Sequence, residues 1–224
     1  MNVSVIKIGG NIIDNPAELE QFLTDFSKIE GYKVLVHGGG KSATKMAQSI
    51  GLVPQMIDGR RITDAPMLDV VVMIYAGQIN KHIVAQLQAK DNNAIGFSGA
   101  DGNLIQSTKR NHPTIDYGFV GDVKQVNTKL LATLLEAGVV PVFCAITHDK
   151  NGQLLNTNAD TIASELSIAL SEVFDVTLTY CFEKQGVLMD SEDESSVITE
   201  INETLYNKLK EEKVIHSGMI PKLD

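Results

Sequence analysis

The apolar residues of the chain alternate between two spacings, one typical of strands and one typical of helices. Residues 3–8 and 32–36 are short β-branched runs, and each is followed by a glycine cluster. Residues 17–29, between them, carry apolar side chains at helical spacing: Leu19, Phe22, Leu23 and Phe26. The pattern predicts a strand, a helix and a second strand.

Further units of the same kind occupy the later part of the chain. Asn127 is placed to cap a helix that Gly138 ends, and residues 139–143 form an apolar run typical of a buried strand. Another helical stripe precedes a predicted strand at 173–179: Ala159, Ile162, Ala163, Leu166 and Leu170. Alternating strands and helices favour a parallel sheet covered on both faces. The sequence therefore predicts an α/β fold, a three-layer α/β/α sandwich around an open, mainly parallel sheet.

Some stretches break this alternation. Residues 103–126 and 145–155 contain short runs separated by turn formers, which predicts β-hairpins that lie as a lid over the sheet. Residues 190–196 are acidic and rich in serine, which favours an exposed loop. Residues 68–87 predict a helix with a wider apolar face than one core contact requires, and we interpret the surplus as a homodimer interface.

Length and charge narrow the class of protein. A chain of 224 residues with 43% hydrophobic content is long enough for one large domain or two closely packed lobes. The net charge of −9 argues against nucleic acid and anionic membranes as partners, because both attract basic surfaces. No basic or apolar leader opens the sequence, and the longest apolar run, 70–76, is too short to span a bilayer. Cys144 and Cys181 are the two cysteines of the chain, and both lie in apolar stretches, which argues against a disulfide framework. We therefore expect a cytoplasmic protein.

Two glycine clusters follow predicted strands, Gly9-Gly10 after the first and Gly38-Gly39-Gly40 after the second. Glycine allows the backbone to approach a ligand closely, and the start of a following helix adds partial positive charge. Plain tight turns are the common alternative for such pairs. Two clusters at strand ends nevertheless favour two bound anions, either phosphate or carboxylate groups.

Several polar residues are not explained by a folded core. Lys7 interrupts a buried strand and needs an anionic partner, either in a structural ion pair or on a phosphate ligand. Asn156, Asn158 and Asp160 crowd the start of a helix, where one capping residue suffices. If the chain is already helical at Asn156, the four-residue spacing places Asn156 and Asp160 on one face, directed at one pocket. Capping alone is the alternative, and Lys222 by itself is typical of a surface residue.

Five motifs occur along the chain in this order: Lys7-Ile8-Gly9-Gly10-Asn11, His37-Gly38-Gly39-Gly40, Gly59-Arg60-Arg61-Ile62-Thr63-Asp64, Leu155-Asn156-Thr157-Asn158-Ala159-Asp160 and Gly218-Met219-Ile220-Pro221-Lys222. Together they resemble the motifs of the amino-acid kinase family in its acetylglutamate kinase branch. The resemblance implies a carbamate kinase-like fold that covers residues 1–224 as one domain. It further implies an N-terminal lobe, about 1–150, for the acyl-amino acid and for dimerisation, and a C-terminal lobe, about 151–224, for ATP.

The resemblance also implies a reaction, the phosphorylation by ATP of the γ-carboxylate of an N-acyl-L-glutamate in arginine biosynthesis. The resemblance implies that Lys7 and Lys222 neutralise the phosphoryl oxygens and that the carboxylate of Asp160 orients these two lysines. The residues implied to bind the ATP phosphates are Gly9, Gly10 and Asn11. The residues implied to bind the acyl-amino acid are Gly38, Gly39, Arg61, Asn156 and Asn158. Mg²⁺ would arrive on the ATP phosphates, without a metal site built from protein side chains, and His37 would be structural.

The chain departs from the family's pattern at three places. Arg60 stands where the family has leucine; we interpret it as facing solvent, and a charge that suits a larger acidic acyl group, such as succinyl instead of acetyl, is the alternative. Residues 179–184, Thr-Tyr-Cys-Phe-Glu-Lys, lack the Thr-Asp or Ser-Asp pair usual after the strand of the ATP lobe, so no adenine contact is assigned. The family continues beyond the position of Lys222, so we expect either a longer protein or a truncated, weak enzyme.

Other functions stay open at this point. Another branch of the family, such as carbamate, aspartate or uridylate kinase, would use the same fold, although Arg61 with Asn156 favours a glutamate-like acceptor. A non-catalytic sensor of a nucleotide or metabolite is an alternative from a different class. A dinucleotide-binding oxidoreductase is disfavoured, because neither glycine cluster has the spacing Gly-x-Gly-x-x-Gly.

Overall fold

Strands and helices alternate over most of the chain, as predicted. The computed structural model describes residues 1–57, 60–190, 192–212, 214–215 and 219–223. The strands are β1 (Asn2–Ile8), β2 (Tyr32–His37), β3 (Met56–Ile57), β4 (Arg60–Arg61), β5 (Ala94–Phe97), β6 (Ile105–Lys109), β7 (Gly121–Val126), β8 (Val140–Cys144), β9 (Ile146–His148), β10 (Leu154–Asn156), β11 (Asp175–Cys181), β12 (Val187–Leu188) and β13 (Val197–Ile198). The α-helices are α1 (Gly10–Asp14), α2 (Pro16–Ser27), α3 (Gly40–Ser49), α4 (Ala65–Val71), α5 (Asn80–Gln88), α6 (Thr128–Glu136), α7 (Ala159–Ser171), α8 (Glu203–Glu211) and α9 (Ile220–Leu223). A π-helical segment, Val72–Ile79, joins α4 to α5, and a 3₁₀ turn covers Asp101–Asn103.

The central sheet has the strand order β11-β1-β2-β8-β5, and every neighbouring pair is parallel. The interior strands β2 and β8 are buried along almost their whole length, because both of their faces are covered. All five strands therefore end at the same edge of the sheet. That edge is where ligands bind in open α/β folds.

Helices cover both faces of this sheet. The connections from β1 to β2 and from β2 to β5 run one way across it, and those from β5 to β8 and from β8 to β11 run the other way. Because such crossovers are right-handed, the two directions place their helices on opposite faces. Accordingly, α2 packs against α5, and α6 packs against α7. The predicted α/β/α sandwich is confirmed. None of the helices in the described ranges combines the length and apolar composition that a membrane span requires.

The two stretches that break the alternation form hairpins, as predicted. β6 pairs with β7 and β9 pairs with β10, both antiparallel. The hairpins also pair with each other, because Gln106 lies opposite His148, and they build a second sheet in the order β10-β9-β6-β7. Since β9 begins two residues after β8 ends, this sheet continues from the same edge of the central sheet.

Helix ends follow the predicted signals. The Asn127 side chain accepts a hydrogen bond from the Leu130 amide, which caps α6, and Gly138 takes a positive φ of 76° just after that helix. Asn15 caps α2 in the same way.

The surplus apolar face predicted for residues 68–87 does not exist. Most of the apolar side chains on which that prediction relied are buried in the core of the same chain: Val70, Val71, Ile74, Ile79 and Ile83. Met73 is the exception and is exposed. The π-helical turn at Val72–Ile79 changes the spacing of side chains, so the face looks wider in an α-helical projection than it is. The homodimer therefore has no support from this helix.

Candidate active site

Polar groups converge where β1, β2 and β8 end. Gly9 and Gly10 follow β1, and α1 begins at Gly10; Gly38 and Gly39 follow β2, and α3 begins at Gly40. The start of α7 lies at the same edge, since a Cβ on Gly38 would lie 3.8 Å from that of Ala159. Both glycine clusters and one helix start thus surround a single region.

Two lysines converge on one carboxylate in this region. The ammonium of Lys7 lies 2.7 Å from Oδ1 of Asp160, and that of Lys222 lies 2.9 Å from Oδ2. The three side chains are between 10% and 15% exposed. One carboxylate is therefore shared by two ammonium groups in a region with little water. Such a group is suited to bind an additional anion.

The first turn of α7 positions Asp160. The side chain of Asn158 accepts hydrogen bonds from the amides of Asp160, at 2.7 Å, and Thr161, at 3.2 Å. On β11, the Tyr180 hydroxyl bonds with that of Ser164 and donates to the Asp160 carbonyl at 3.3 Å. The carboxylate is thereby held between the cap of its own helix and the neighbouring strand.

A cavity of about 220 Å³ opens beside the start of α7. The residues that line it are Gly38, Gly39, Gly40, Met56, Arg60, Arg61, Tyr75, Arg110, Val120, Ala145, Asn156, Thr157, Asn158, Ala159 and Thr161. Three of them are arginines, and no carboxylate from the described ranges is among them. The cavity is therefore suited to an acidic small molecule.

The wall that carries Arg61 is rigid. Nη2 of Arg61 donates to the Gly40 carbonyl at 2.9 Å and to the Thr44 hydroxyl at 2.8 Å, and the side chain is largely buried. Under the adjacent Gly39, the π-helical segment presents Tyr75 and Ile79. Burial raises the pKa of the Tyr75 hydroxyl, so it stays protonated beside the guanidinium. Nη1 lies 3.9 Å from Sδ of Met67, so the Arg61 guanidinium is fixed in orientation at the cavity wall.

Comparison with known proteins identifies the family. The family model described as the Amino acid kinase family matches residues 2–224. The chain belongs to the amino acid kinase family. It is 56% identical to the acetylglutamate kinase of Bacteroides fragilis over 99% of this chain and 85% of that protein. It is 57% identical to the acetylglutamate kinase of Cytophaga hutchinsonii over 98% of this chain and 84% of that protein.

A solved structure shares the fold of this chain. The protein smu.665 of Streptococcus mutans UA159 superposes with a TM-score of 0.79 at 24% identity, covering 99% of this chain and 87% of that chain. At that identity the likeness supports the fold alone. Both the amino acid kinase family and its fold are thus confirmed for this chain.

The amino acid kinase fold brings most of the predicted residues together. Lys7, Asp160 and Lys222 form one ion-paired group. The residues predicted for the acyl-amino acid line the same cavity: Gly38, Gly39, Arg61, Asn156 and Asn158. Two residues of the predicted motifs, Gly59 and Gly218, lie outside the described residues.

The glycine turn after β1 is bonded to a neighbouring strand. The amide of Gly9 donates to the Cys181 carbonyl at 2.9 Å, so this N–H is engaged within the sheet, and phosphate binding at Gly9 stays a prediction. The reason is that β11 lies directly beside β1 and its pairing continues one residue past Ile8. Asn11 is also engaged, because its side-chain carbonyl accepts a hydrogen bond from the ammonium of Lys41.

The predicted helical turn at Asn156 is wrong. Asn156 ends β10, and α7 begins only at Ala159, because Asn158 is the N-cap and has an extended backbone. Asn156 reaches the cavity from a strand instead, where its amide donates to the Thr63 hydroxyl at 3.0 Å. The i, i+4 geometry assumed for Asn156 and Asp160 therefore does not occur.

Sequence reasoning missed part of the cavity wall. Arg110 lines it and forms an ion pair with Asp122, with Nε 2.9 Å from Oδ1. Arg60 is exposed, as predicted, but it also lines the cavity. The signal that points to Arg110 is the hairpin register, which places Asp122 opposite Thr108, diagonally across from Arg110.

His37 lies beneath the second glycine cluster and is fully buried. Its Nδ1 lies 2.8 Å from the Gly38 carbonyl, and its Nε2 lies 3.1 Å from the amide nitrogen of Asn80. A neutral ring that donates from Nδ1 and accepts at Nε2 satisfies both contacts. Burial is the main cause that lowers the pKa of His37 to about 4. The ring therefore supports the turn, in agreement with the structural role predicted for it.

This burial predicts a loss of stability in acid. The unfolded chain binds a proton on His37 below a pKa of about 6.5, whereas the folded chain does so only near 4. The buried, neutral His37 ring therefore contributes fully to the free energy of unfolding above pH 6.5. This contribution decreases by about 3 kcal/mol as the pH falls towards 4. Urea unfolding at several pH values tests this: the stability difference between the wild type and His37→Gln should shrink by about that amount between pH 7.5 and 4. A constant difference, together with an NMR titration of His37 near neutral pH, would contradict the prediction.

Proposed function

We propose that this amino acid kinase phosphorylates the γ-carboxylate of an N-acyl-L-glutamate with ATP, a step of arginine biosynthesis. The observation that carries the proposal is the pairing of Lys7 and Lys222 with one carboxylate, Asp160, beside a cavity whose described lining is cationic and free of acidic residues. The identity of 56% to 57% with proteins named acetylglutamate kinase supports it.

The chemistry needs little covalent work from the protein. A γ-carboxylate oxygen of the acceptor attacks the γ-phosphorus of ATP, a bond forms between them, and the bond from that phosphorus to the β,γ-bridging oxygen breaks to release ADP. The attacking carboxylate is already ionised at neutral pH, so no general base is required. Rate enhancement then depends on position and on compensation of negative charge.

The ion-paired group would supply that compensation. Lys7 and Lys222 would contact the oxygens of the transferred phosphoryl group. Asp160 would hold the two ammonium groups apart and orient both towards those oxygens. Mg²⁺ would enter bound to the ATP phosphates. Among the described residues no three His, Cys, Asp or Glu side chains cluster as a metal site would require.

The cavity would hold the acyl-amino acid. The fixed fork of Arg61 would bind the α-carboxylate, Asn156 and Asn158 would contact the amide, and Gly38 and Gly39 would allow a close approach of the substrate to the backbone. In this arrangement residues of about 1–150 supply most of the acceptor site. Residues of about 151–224 would supply Asp160, Lys222 and the ATP side, and dimerisation would involve the first lobe.

The acyl group is the open part of this proposal. Arg60 and Arg110 line the cavity in addition to Arg61, and two further guanidinium groups favour an acyl group that itself ends in a carboxylate, such as succinyl. An acetyl group, as in the names of the relatives, has no carboxylate that Arg60 or Arg110 could bind. Arg110 already pairs with Asp122, which reduces its charge towards the cavity.

Hydroxylamine trapping of the acyl phosphate, with MgATP, tests the reaction directly. We would compare N-acetyl-L-glutamate and N-succinyl-L-glutamate with carbamate, aspartate and uridine monophosphate as acceptors, measuring ADP release for the nucleotide. Product with either acylglutamate supports the proposal and identifies the acyl preference. Turnover with another acceptor would assign the chain to a different branch, and nucleotide binding without any turnover would indicate a sensor.

Arg61→Lys separates acceptor binding from the chemical step. Lysine keeps the charge but loses the bidentate geometry and the bonds to Gly40 and Thr44. We expect the KM for the acylglutamate to rise about 10- to 100-fold, with the KM for ATP unchanged. Lys45→Met, an exposed substitution on the same α3, is the control and should leave both constants unchanged. Equal changes in both KM values would argue against a substrate clamp at this position.

A further inference from the structure

Two helices that follow the glycine clusters are tied together by their side chains. The ammonium of Lys41, the second residue of α3, donates to the side-chain carbonyl of Asn11, the second residue of α1. One residue further along α3, the Ser42 hydroxyl donates to Oδ1 of Asp14 at 2.6 Å. The first contact thus brings a positive charge directly to the motif that follows β1.

The charge on Lys41 has no obvious structural use. Its side chain is exposed, and no carboxylate of the described ranges lies within 4.0 Å of its ammonium. Asp14, the acidic residue nearest in α1, bonds with Ser42 instead. That second contact already joins the two helices, so the Lys41 contact is not needed to hold them. A neutral residue would serve as well at this position if no anion bound there.

The phosphates of the nucleotide would meet positive charge from more than one source. Lys7 and Lys222 contact Asp160, and Mg²⁺ would arrive on the ATP phosphates. In phosphoryl transfer, negative charge accumulates on the leaving β-phosphate as well as on the transferred group. A third ammonium beside the turn after β1 would compensate this charge.

We propose that Lys41 is a third phosphate-binding lysine, which binds a non-transferred phosphate of the nucleotide together with Asn11. This inference rests on the proposed kinase function and assigns a residue that none of the five family motifs gives a role. Asn11 holds the ammonium near the turn before the nucleotide binds. When the nucleotide binds, the Lys41 ammonium exchanges its bond to the neutral amide of Asn11 for a bond to a charged phosphate oxygen. The bond to the phosphate is the stronger of the two.

Three variants test this role. Lys41→Met removes the charge, Lys41→Arg keeps it, and Lys45→Met removes an exposed lysine from the next turn of the same helix as the control. We expect Lys41→Met to lower kcat/KM for ATP about 10- to 100-fold and to weaken MgADP binding, measured by calorimetry, to a similar extent. The KM for the acylglutamate and the melting temperature should not change. Lys41→Arg should recover most of the loss, and Lys45→Met should match the wild type.

The contrary results are distinct. If Lys41→Met matches Lys45→Met in kcat/KM for ATP and in MgADP affinity, the proposal is overturned. The same holds if Lys41→Met lowers the melting temperature and the KM values of both substrates change together, because that pattern indicates a structural contact. If the wild type forms no acyl phosphate but binds MgADP, the kinase function fails, and the MgADP affinities of the variants still decide the role of Lys41. A wild type that binds no MgADP overturns both.

Discussion

An enzyme with Lys7→Met is expected to lose about 10²- to 10³-fold in kcat, with a much smaller change in the affinity for ATP. Methionine preserves the length and apolar stem of the side chain in β1 but removes the ammonium that lies 2.7 Å from Asp160. In the transition state, the phosphoryl oxygens would then face a carboxylate that only Lys222 compensates. The net charge of the ion-paired group falls from positive to neutral, so the loss appears in the chemical step.

Steady-state kinetics and MgADP binding measure the two effects separately. Lys28→Met is the matched control, because Lys28 is exposed, forms a surface ion pair with Asp25 and lies before the start of β2, whereas the site lies where the strands end. It should retain wild-type kcat. A Lys7→Met enzyme that binds MgADP weakly but turns over normally would mean that Lys7 serves nucleotide binding alone, and the mechanism proposed for the ion-paired group would then be wrong.

Gly39→Ala is expected to have the second large effect, on both stability and activity. Gly39 has a φ of 152°, and a Cβ there would lie 2.4 Å from Cδ1 of Ile79 and 2.9 Å from Cδ1 of Tyr75. Backbone strain and overpacking together should lower the free energy of unfolding by about 2–4 kcal/mol. Because the turn also lines the cavity, its displacement should reduce kcat about 100-fold even where the protein stays folded.

Two further variants separate the causes. Gly51 also has a positive φ, 82°, but a Cβ there would meet no atom within 4 Å. Gly51→Ala should therefore show only the backbone cost, about 1–2 kcal/mol, in urea unfolding. Adding Ile79→Ala to Gly39→Ala removes the closest contact and should restore part of the lost activity. Equal costs at Gly39 and Gly51 would contradict the packing argument.

Much of the site follows from signals that are local in sequence. The glycine clusters mark the ends of β1 and β2 because close backbone approach requires glycine whatever the rest of the fold does. The charge of Lys7 in an otherwise apolar strand required an anionic partner, and the structure supplies Asp160. The identity of that partner, in contrast, came from the family resemblance, because the sequence pattern does not determine contacts over such a separation.

The parts that sequence reasoning missed depend on tertiary geometry. The Gly9 amide bonds with β11, a strand more than 160 residues later in the chain. This happens because the pairing of β11 with β1 extends past the end of β1. Arg110 lines the cavity beside residues from several distant elements, and the register of its own hairpin indicates only its pairing with Asp122. Asn156 was placed on a helix because its spacing to Asp160 fits one, although the cap at Asn158 ends that possibility.

The π-helical segment Val72–Ile79 has a consequence for how this part of the chain tolerates insertions and deletions. A π turn holds about one residue more than an α turn, so deletion of a single residue would favour conversion to α-helix. Because an α turn and a π turn each complete one rotation, the helix after such a deletion would keep nearly its orientation relative to α4. Ile79 would stay under Gly39, and Asn80 would stay beside His37. A one-residue deletion within this segment should therefore be tolerated better than a one-residue deletion within α5, which has no extra residue to lose.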